Sequence, residues 1–175
     1  MRAGLTALCC CALLGCAHQE EQMASSALVG EWVCPMTQAK QRMAQTDYVT
    51  FKPDGTLHGK GSFVYPMNKP RFRFSQTFQG KWRMEGNVVH ISVVNASLER
   101  QHSNSTQHRL KTSTKWRAQE QTLFAKANAQ YRSGKVDATF EVIDLSKREF
   151  SYVQYRSDQR YYGGCVRAHT QRRER

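Results

Sequence analysis

From Leu28 onward apolar and polar residues alternate with period two, the spacing of a strand with one buried and one wet face. Leu28, Gly30, Trp32 and Cys34 fall on one side and Val29, Glu31 and Val33 on the other, which predicts a first strand with Trp32 inward, ended by Pro35. Met36 to Gln45 lacks the pattern and reads as a short helix or loop before a second strand at Tyr48 to Phe51. Lys52-Pro53-Asp54-Gly55 is a tight-turn sequence: Pro53 presets its own φ, and Gly55 tolerates a positive one. In Thr56 to Tyr65 the positions Leu57, Gly59, Gly61, Phe63 and Tyr65 face one way. After Pro66 to Pro70, the run Phe72, Phe74, Gln76, Phe78, Gly80, Trp82 and Met84 alternates with Arg73, Ser75, Thr77, Gln79, Lys81 and Arg83. That is one dry face and one wet face, the longest alternation in the chain. Glu85-Gly86-Asn87 then turns the chain into Val88 to Leu98, with Val89, Ile91 and Val93 inward.

Residues 101–108 break this pattern: Gln101, His102, Ser103, Asn104, Ser105, Thr106, Gln107 and His108 are all polar. Periodicity then shifts toward three and four, through Trp116, Leu123 or Phe124, Ala127 and Tyr131, with Gly134 placed as a helix stop. Three more strands follow near Val136 to Asp144, Glu149 to Gln154 and Arg160 to Arg167. The fold class expected is mainly β with one inserted helix, an antiparallel meander barrel of about eight strands over residues 28–167. Eight is the number at which a closed barrel is filled by side chains or holds one small ligand.

Residues 1–15 differ in kind. Arg2 is followed by an uncharged apolar run to Gly15, too short to span a bilayer and patterned as a secretory signal. Leu13-Leu14-Gly15-Cys16 resembles the lipobox of bacterial lipoproteins, which implies cleavage before Cys16 and lipid on its thiol. Residues 16–27 then form a polar lipidated tether, and 168–175 a polar tail. In that resemblance Ala17, where Asp would favour inner-membrane retention, implies an outer-membrane protein facing the periplasm.

The net charge is +12, with 26 Lys and Arg against 14 Asp and Glu. In the cytosol such a balance would suggest nucleic acid; export removes that partner. Besides the membrane reached through lipid on Cys16, the partners left are an acidic envelope protein, anionic lipid or lipopolysaccharide, unless the charge is simply a solvated surface. After cleavage and lipidation Cys34 and Cys165 remain as an even pair in an oxidising compartment, and we read them as one disulfide closing most of the domain.

Gly30-Glu31-Trp32 on the first strand resembles the Gly-x-Trp signature that opens lipocalins, and Gly80-Lys81-Trp82 repeats it. The resemblance implies a lipocalin-like domain with a late-strand arginine over the first tryptophan, the position Arg167 would take, and the possibility of a carried hydrophobic molecule.

No nucleophile and base can be paired by spacing, so no enzyme is expected. His58-Gly59-Lys60-Gly61-Ser62 has the wrong spacing for a phosphate loop and no helix after it, and reads as a strand with room-making glycines. His102 and His108 share a polar segment without a carboxylate or cysteine near in sequence, so neither a metal nor a cofactor is assigned. The candidate ligand-binding residues are the inward aromatics Trp32, Phe63, Phe74, Phe78 and Trp82. Either they fill the barrel, and the protein acts as a partner-binding accessory such as a pilotin-like or assembly factor, or Gly59, Gly61 and Gly80 leave a cavity and it carries an apolar ligand.

Overall fold

The computed structural model describes residues 25–40, 42–132, 136–156 and 159–168. Eight strands, β1 (Gly30–Gln38), β2 (Met43–Phe51), β3 (Thr56–Tyr65), β4 (Phe72–Glu85), β5 (Val88–Arg100), β6 (Val136–Leu145), β7 (Glu149–Arg156) and β8 (Gln159–Arg167), pair in chain order and close as one barrel. Every pairing is antiparallel, including β8 back onto β1. This is the up-and-down closure that lipocalins share. Helices α1 (Asn104–Thr112) and α2 (Thr114–Arg132) are inserted between β5 and β6.

The β3 and β4 alternation holds without interruption from Thr56↔Lys81 to Tyr65↔Phe72, so Leu57, Phe63, Phe72, Phe74 and Trp82 are all buried. In β5 it holds only as far as Val93. A bulge lies opposite Gln79 and Gly80, where Gln79 pairs with Asn95 and Gly80 with Val93. The extra residue, Val94, is thrown outward and is 60% exposed, and the buried parity moves to Leu98.

Two expectations about the first half are corrected. Pro35 does not end the first strand, and the described part of Met36 to Gln45 is mostly strand: β1 runs on to Gln38 and β2 begins at Met43, with a tight connection between them. What Pro35 ends is a seam. Glu31 accepts from Ala168 N, so odd residues of β1 turn their polar backbone toward β8, and the ladder between these strands stops at Val33↔Val166. Pro35 is the next residue on that side and has no N–H to offer, while it still pairs with Thr46 of β2. A strand can therefore continue through a proline that lies on an unpaired side.

In place of the one inserted helix expected there are two. The polar run that breaks the strand pattern enters α1, with Ser103 as N-cap accepting from Thr106 N. Ser113 closes α1 through its N–H to Arg109 O, and its Oγ accepts from Trp116 N in the first turn of α2. The expected stop at Gly134 lies outside the described residues.

The barrel ends differ. At the closed end lie a helical turn at 25–28, the β2–β3 turn and the β4–β5 turn. At the other lie the β1–β2 and β3–β4 connections and both helices, which cap the opening. No described helix is long and apolar enough to cross a membrane.

Candidate functional site: the barrel interior

At the closed end, Trp32 is fully buried and donates its indole N–H to Leu28 O at 2.7 Å. Phe150 meets it edge-on at 4.8 Å, and the Arg167 guanidinium lies over its ring at 3.9 Å. The same guanidinium donates to Val29 O and Ala27 O, each at 2.6 Å, so it satisfies carbonyls where the helical turn enters the strand. Burial pushes the Arg167 pKa below its usual value. Gly30 is required here twice over: its φ is +128°, and a side-chain carbon would collide with the Arg167 guanidinium. The first Gly-x-Trp copy thus has a local physical cause, with Arg167 over the ring as the lipocalin resemblance implied. The second copy works at the same end. Trp82 donates to Lys52 O at 2.9 Å and meets Phe51 edge-on at 5.2 Å, while Gly80 lets the Ser92 backbone of β5 approach.

Cys34 and Cys165 are bonded, joining β1 to β8 one rung above Val33↔Val166. The disulfide therefore fastens the seam at the point where hydrogen bonding gives out. Cys16 lies outside the described residues, and its lipidation with it.

The five aromatics named from sequence do not converge on one cavity. Trp32 and Trp82 belong to the closed-end cluster, with Leu28, Phe51, Leu57, Val89, Phe140, Phe150 and Tyr152. Phe63 and Phe74 stack at 5.0 Å in a second cluster with Phe72 and Leu98, covered by Trp116, Leu123, Phe124 and Ala127 of α2. Phe78 is half-buried and packs against the first cluster.

Between the clusters is a polar belt that the sequence did not announce. Asp47 accepts from Gln45 Nε2 at 2.6 Å and from Gln76 Nε2 at 2.7 Å, and Gln76 is buried. Burial raises the Asp47 carboxyl above its ordinary pKa, and the two donated hydrogen bonds oppose that rise. Gln154 is buried as well, facing inward between Phe140 and Tyr161 of the adjoining strands. The signal was available: Gln45, Asp47, Gln76 and Gln154 all carry inward parity once the strands are correctly bounded.

The glycines do not leave the space expected of them. A side-chain carbon at Gly59 would enter the Phe78 ring, at Gly61 it would strike the Asp47 carboxylate, and at Gly163 it would strike Tyr152. Each inward glycine is filled from the strand beside it, and Gly80 is taken up by backbone. Of the two readings of the interior, a cavity made by Gly59, Gly61 and Gly80 is the one these contacts disfavour.

At the capped end a buried carboxylate replaces the arginine. Glu120 of α2 accepts from Arg100 Nε at 2.8 Å and from His102 Nε2 at 3.1 Å, and Arg73 N donates to His102 Nδ1 at 3.2 Å. Both ring nitrogens of His102 are engaged, its lone pair by a backbone N–H, so this pair is a latch rather than a general base. Arg100 also lies 3.5 Å over the Phe124 ring. The carboxylate that meets His102 arrives from α2, while His108 stays exposed on α1. Outside the barrel wall, an open depression of about 400 Å³ lies on β1 to β3, bordered by Glu31, Tyr48, Thr50, His58 and Lys60.

No protein-family model and no curated protein matches this chain. Among solved structures it is similar to a redesigned β-barrel, mFAP1, bound to DFHBI, at 14% identity over 82% of this chain and 97% of that chain, with a TM-score of 0.39. It is also similar to Rv2717c from M. tuberculosis, at 11% identity over 84% of this chain and 96% of that one, with a TM-score of 0.31. The barrel stands on its own strand pairing, and neither likeness adds to it.

Proposed function

We propose that this chain is an exported lipoprotein, cleaved before Cys16 and anchored by lipid to the outer membrane, whose barrel acts without catalysis or cofactor as a partner-binding accessory in the periplasm. Support for the anchor comes from the Leu13-Leu14-Gly15-Cys16 match. Support for work through the outer surface comes from one observation above the others: cross-strand side chains occupy the space beside every inward glycine of the barrel's middle. A small barrel filled in this way is a platform. The pilotin-like or assembly role follows as the natural use of a lipid-anchored platform, and export excludes nucleic acid.

The carrier reading keeps one specific support, the Asp47 belt, which would suit the polar group of an amphipathic ligand. A fluorescent fatty-acid analogue separates the two. The platform reading expects no saturable uptake by the folded protein, and stoichiometric uptake would replace it with the carrier. Radiolabelled palmitate should mark the wild type and not Cys16→Ser; equal labelling of both would sink the anchor.

A further inference from the structure

The capped end carries a charge distribution that the closed end lacks. Residues 66–73 and 103–118 contain Lys69, Arg71, Arg73, Arg109, Lys111, Lys115 and Arg117 and no Asp or Glu. All seven are exposed. They belong to one surface, since Thr106 Oγ1 donates to Arg71 O at 2.8 Å and Arg117 Nη2 donates to Lys111 O at 3.4 Å. At its centre the half-buried Trp116 has Arg71 at 5.3 Å and Arg109 at 5.9 Å from its ring, and Met67 stands exposed on the neighbouring loop. At the closed end, by contrast, Lys52, Lys81, Arg83, Lys147 and Arg148 are interspersed with Glu31, Asp54, Glu85, Asp144 and Glu149.

We propose that the helix-capped end docks on an anionic membrane surface, with lipid phosphate groups as the ligands of Arg71, Arg109, Lys111, Lys115 and Arg117. The carboxylate that α2 brings to this end, Glu120, is buried against Arg100 and His102, so the exposed like charges leave a field that an anionic surface neutralises, at about 1 kcal/mol per Lys or Arg close to the headgroups. A tryptophan flanked by arginines beside an exposed methionine suits the boundary between headgroup and acyl chain, where an aromatic ring has one dry and one wet side. This inference rests on the outer-surface reading above and gives that surface its partner.

The test uses residues 16–175 with Cys16→Ser, so that neither an acyl anchor nor the apolar run before it contributes, and vesicles of phosphatidylcholine with or without phosphatidylglycerol at about 0.1 M salt, where the Debye length is about 10 Å. Binding to the anionic vesicles alone, falling as salt rises, is expected. Arg109→Glu with Lys111→Glu should weaken it by about 30-fold or more, from two charges at about 1 kcal/mol each. The matched pair Lys52→Glu and Lys81→Glu at the closed end should change it little. Both variants alter exposed residues, and thermal melts check that they fold. Equal binding to both vesicle types, or equal loss from the two pairs, would overturn the proposal. Binding of polyglutamate without binding of anionic vesicles would also overturn it and assign the cap to an acidic protein. Saturable uptake of the fatty-acid analogue would instead remove the outer-surface reading, whatever the vesicles show.

Discussion

The two ends of the barrel are built from different materials. The closed end is sealed by the strands and the short helical turn at 25–28 that leads into β1: Trp32 and Trp82 turn their indole N–H groups onto backbone carbonyls, and Arg167 covers one ring and three of the carbonyls around it. The capped end borrows its lid. Phe63, Phe72 and Phe74 would face water without Trp116, Leu123 and Phe124 from α2, and the lid is pinned by Glu120 against Arg100 and His102. A closure made by strands is inseparable from the barrel, whereas one made by an inserted helix pair can open by itself. The difference predicts global cooperativity at one end and local opening at the other.

The largest effect should come from the Cys34–Cys165 bond, which closes a loop of 131 residues across a seam with little hydrogen bonding of its own. Replacing both cysteines with Ala should cost about 4–5 kcal/mol in the chain-entropy model, less any relief of native strain. A urea melt measures it, and the loss should appear in every probe, at both ends alike. An unchanged midpoint would mean that the β1–β8 seam holds without its staple.

Trp32→Ala should follow, at about 3–5 kcal/mol for a fully buried indole. It also frees Leu28 O and strands the Arg167 guanidinium. Tyrosine fluorescence and far-ultraviolet dichroism should report one shared, lowered transition. If the strand signal survived while the closed end alone loosened, the contrast between the ends would be wrong.

Glu120→Gln should act at the other end and more gently. It keeps the shape and removes the charge that meets Arg100 and His102, costing about 1–2 kcal/mol after discounting for the half-exposed arginine. Hydrogen exchange should quicken in α1 and α2 and stay unchanged in β1, β7 and β8. Equal quickening throughout would make the cap part of the same cooperative unit as the closed end.

The same contrast governs what the sequence made legible. The closed end was readable because its information is local: Gly30 and Trp32 lie two residues apart, and alternation in β3 and β4 sets every inward position between them. Arg167 could be placed because a bonded Cys34 and Cys165 bring the last strand beside the first. The capped end resisted because α1 has no apolar stripe, only Thr106 buried and Leu110 partly so, and its start lies in a Ser- and Thr-rich run that also suits a loop. The β1–β2 hairpin was missed for a related reason. Its inward Gln45 and Asp47 are polar, so a pattern that equates inward with apolar cannot see it. The lining followed the same logic: alternation along a strand left both a filled and a hollow interior open, because the ring or carboxylate that fills each glycine gap sits on the neighbouring strand.

The smallest effect concerns the belt, and it asks whether that layer separates the two ends or joins them. Asp47 is held by Gln45 and Gln76, yet burial outweighs their hydrogen bonds and its pKa is raised in the folded protein. The folded state therefore binds this proton more readily than the unfolded chain does. The stability it contributes is fully present below the unfolded carboxyl pKa of about 3.9 and is lost as pH rises through the higher folded value. Asp47→Asn cannot ionise and should escape that loss. Its amide forces a constant penalty or gain as Gln45 reorients, so the informative quantity is the change in the difference between variant and wild type across pH. We predict that urea midpoints shift in favour of Asp47→Asn between about pH 4 and pH 7. A difference that is flat, or that favours the wild type increasingly toward neutrality, would mean the belt admits enough water to keep the carboxylate charged without cost. Should the shift appear equally in the exchange rates of α2 and of β1, the belt couples the ends. Should it appear in α2 alone, the lid opens above an intact layer of Asp47, Gln45 and Gln76, and the barrel has two parts that can come apart.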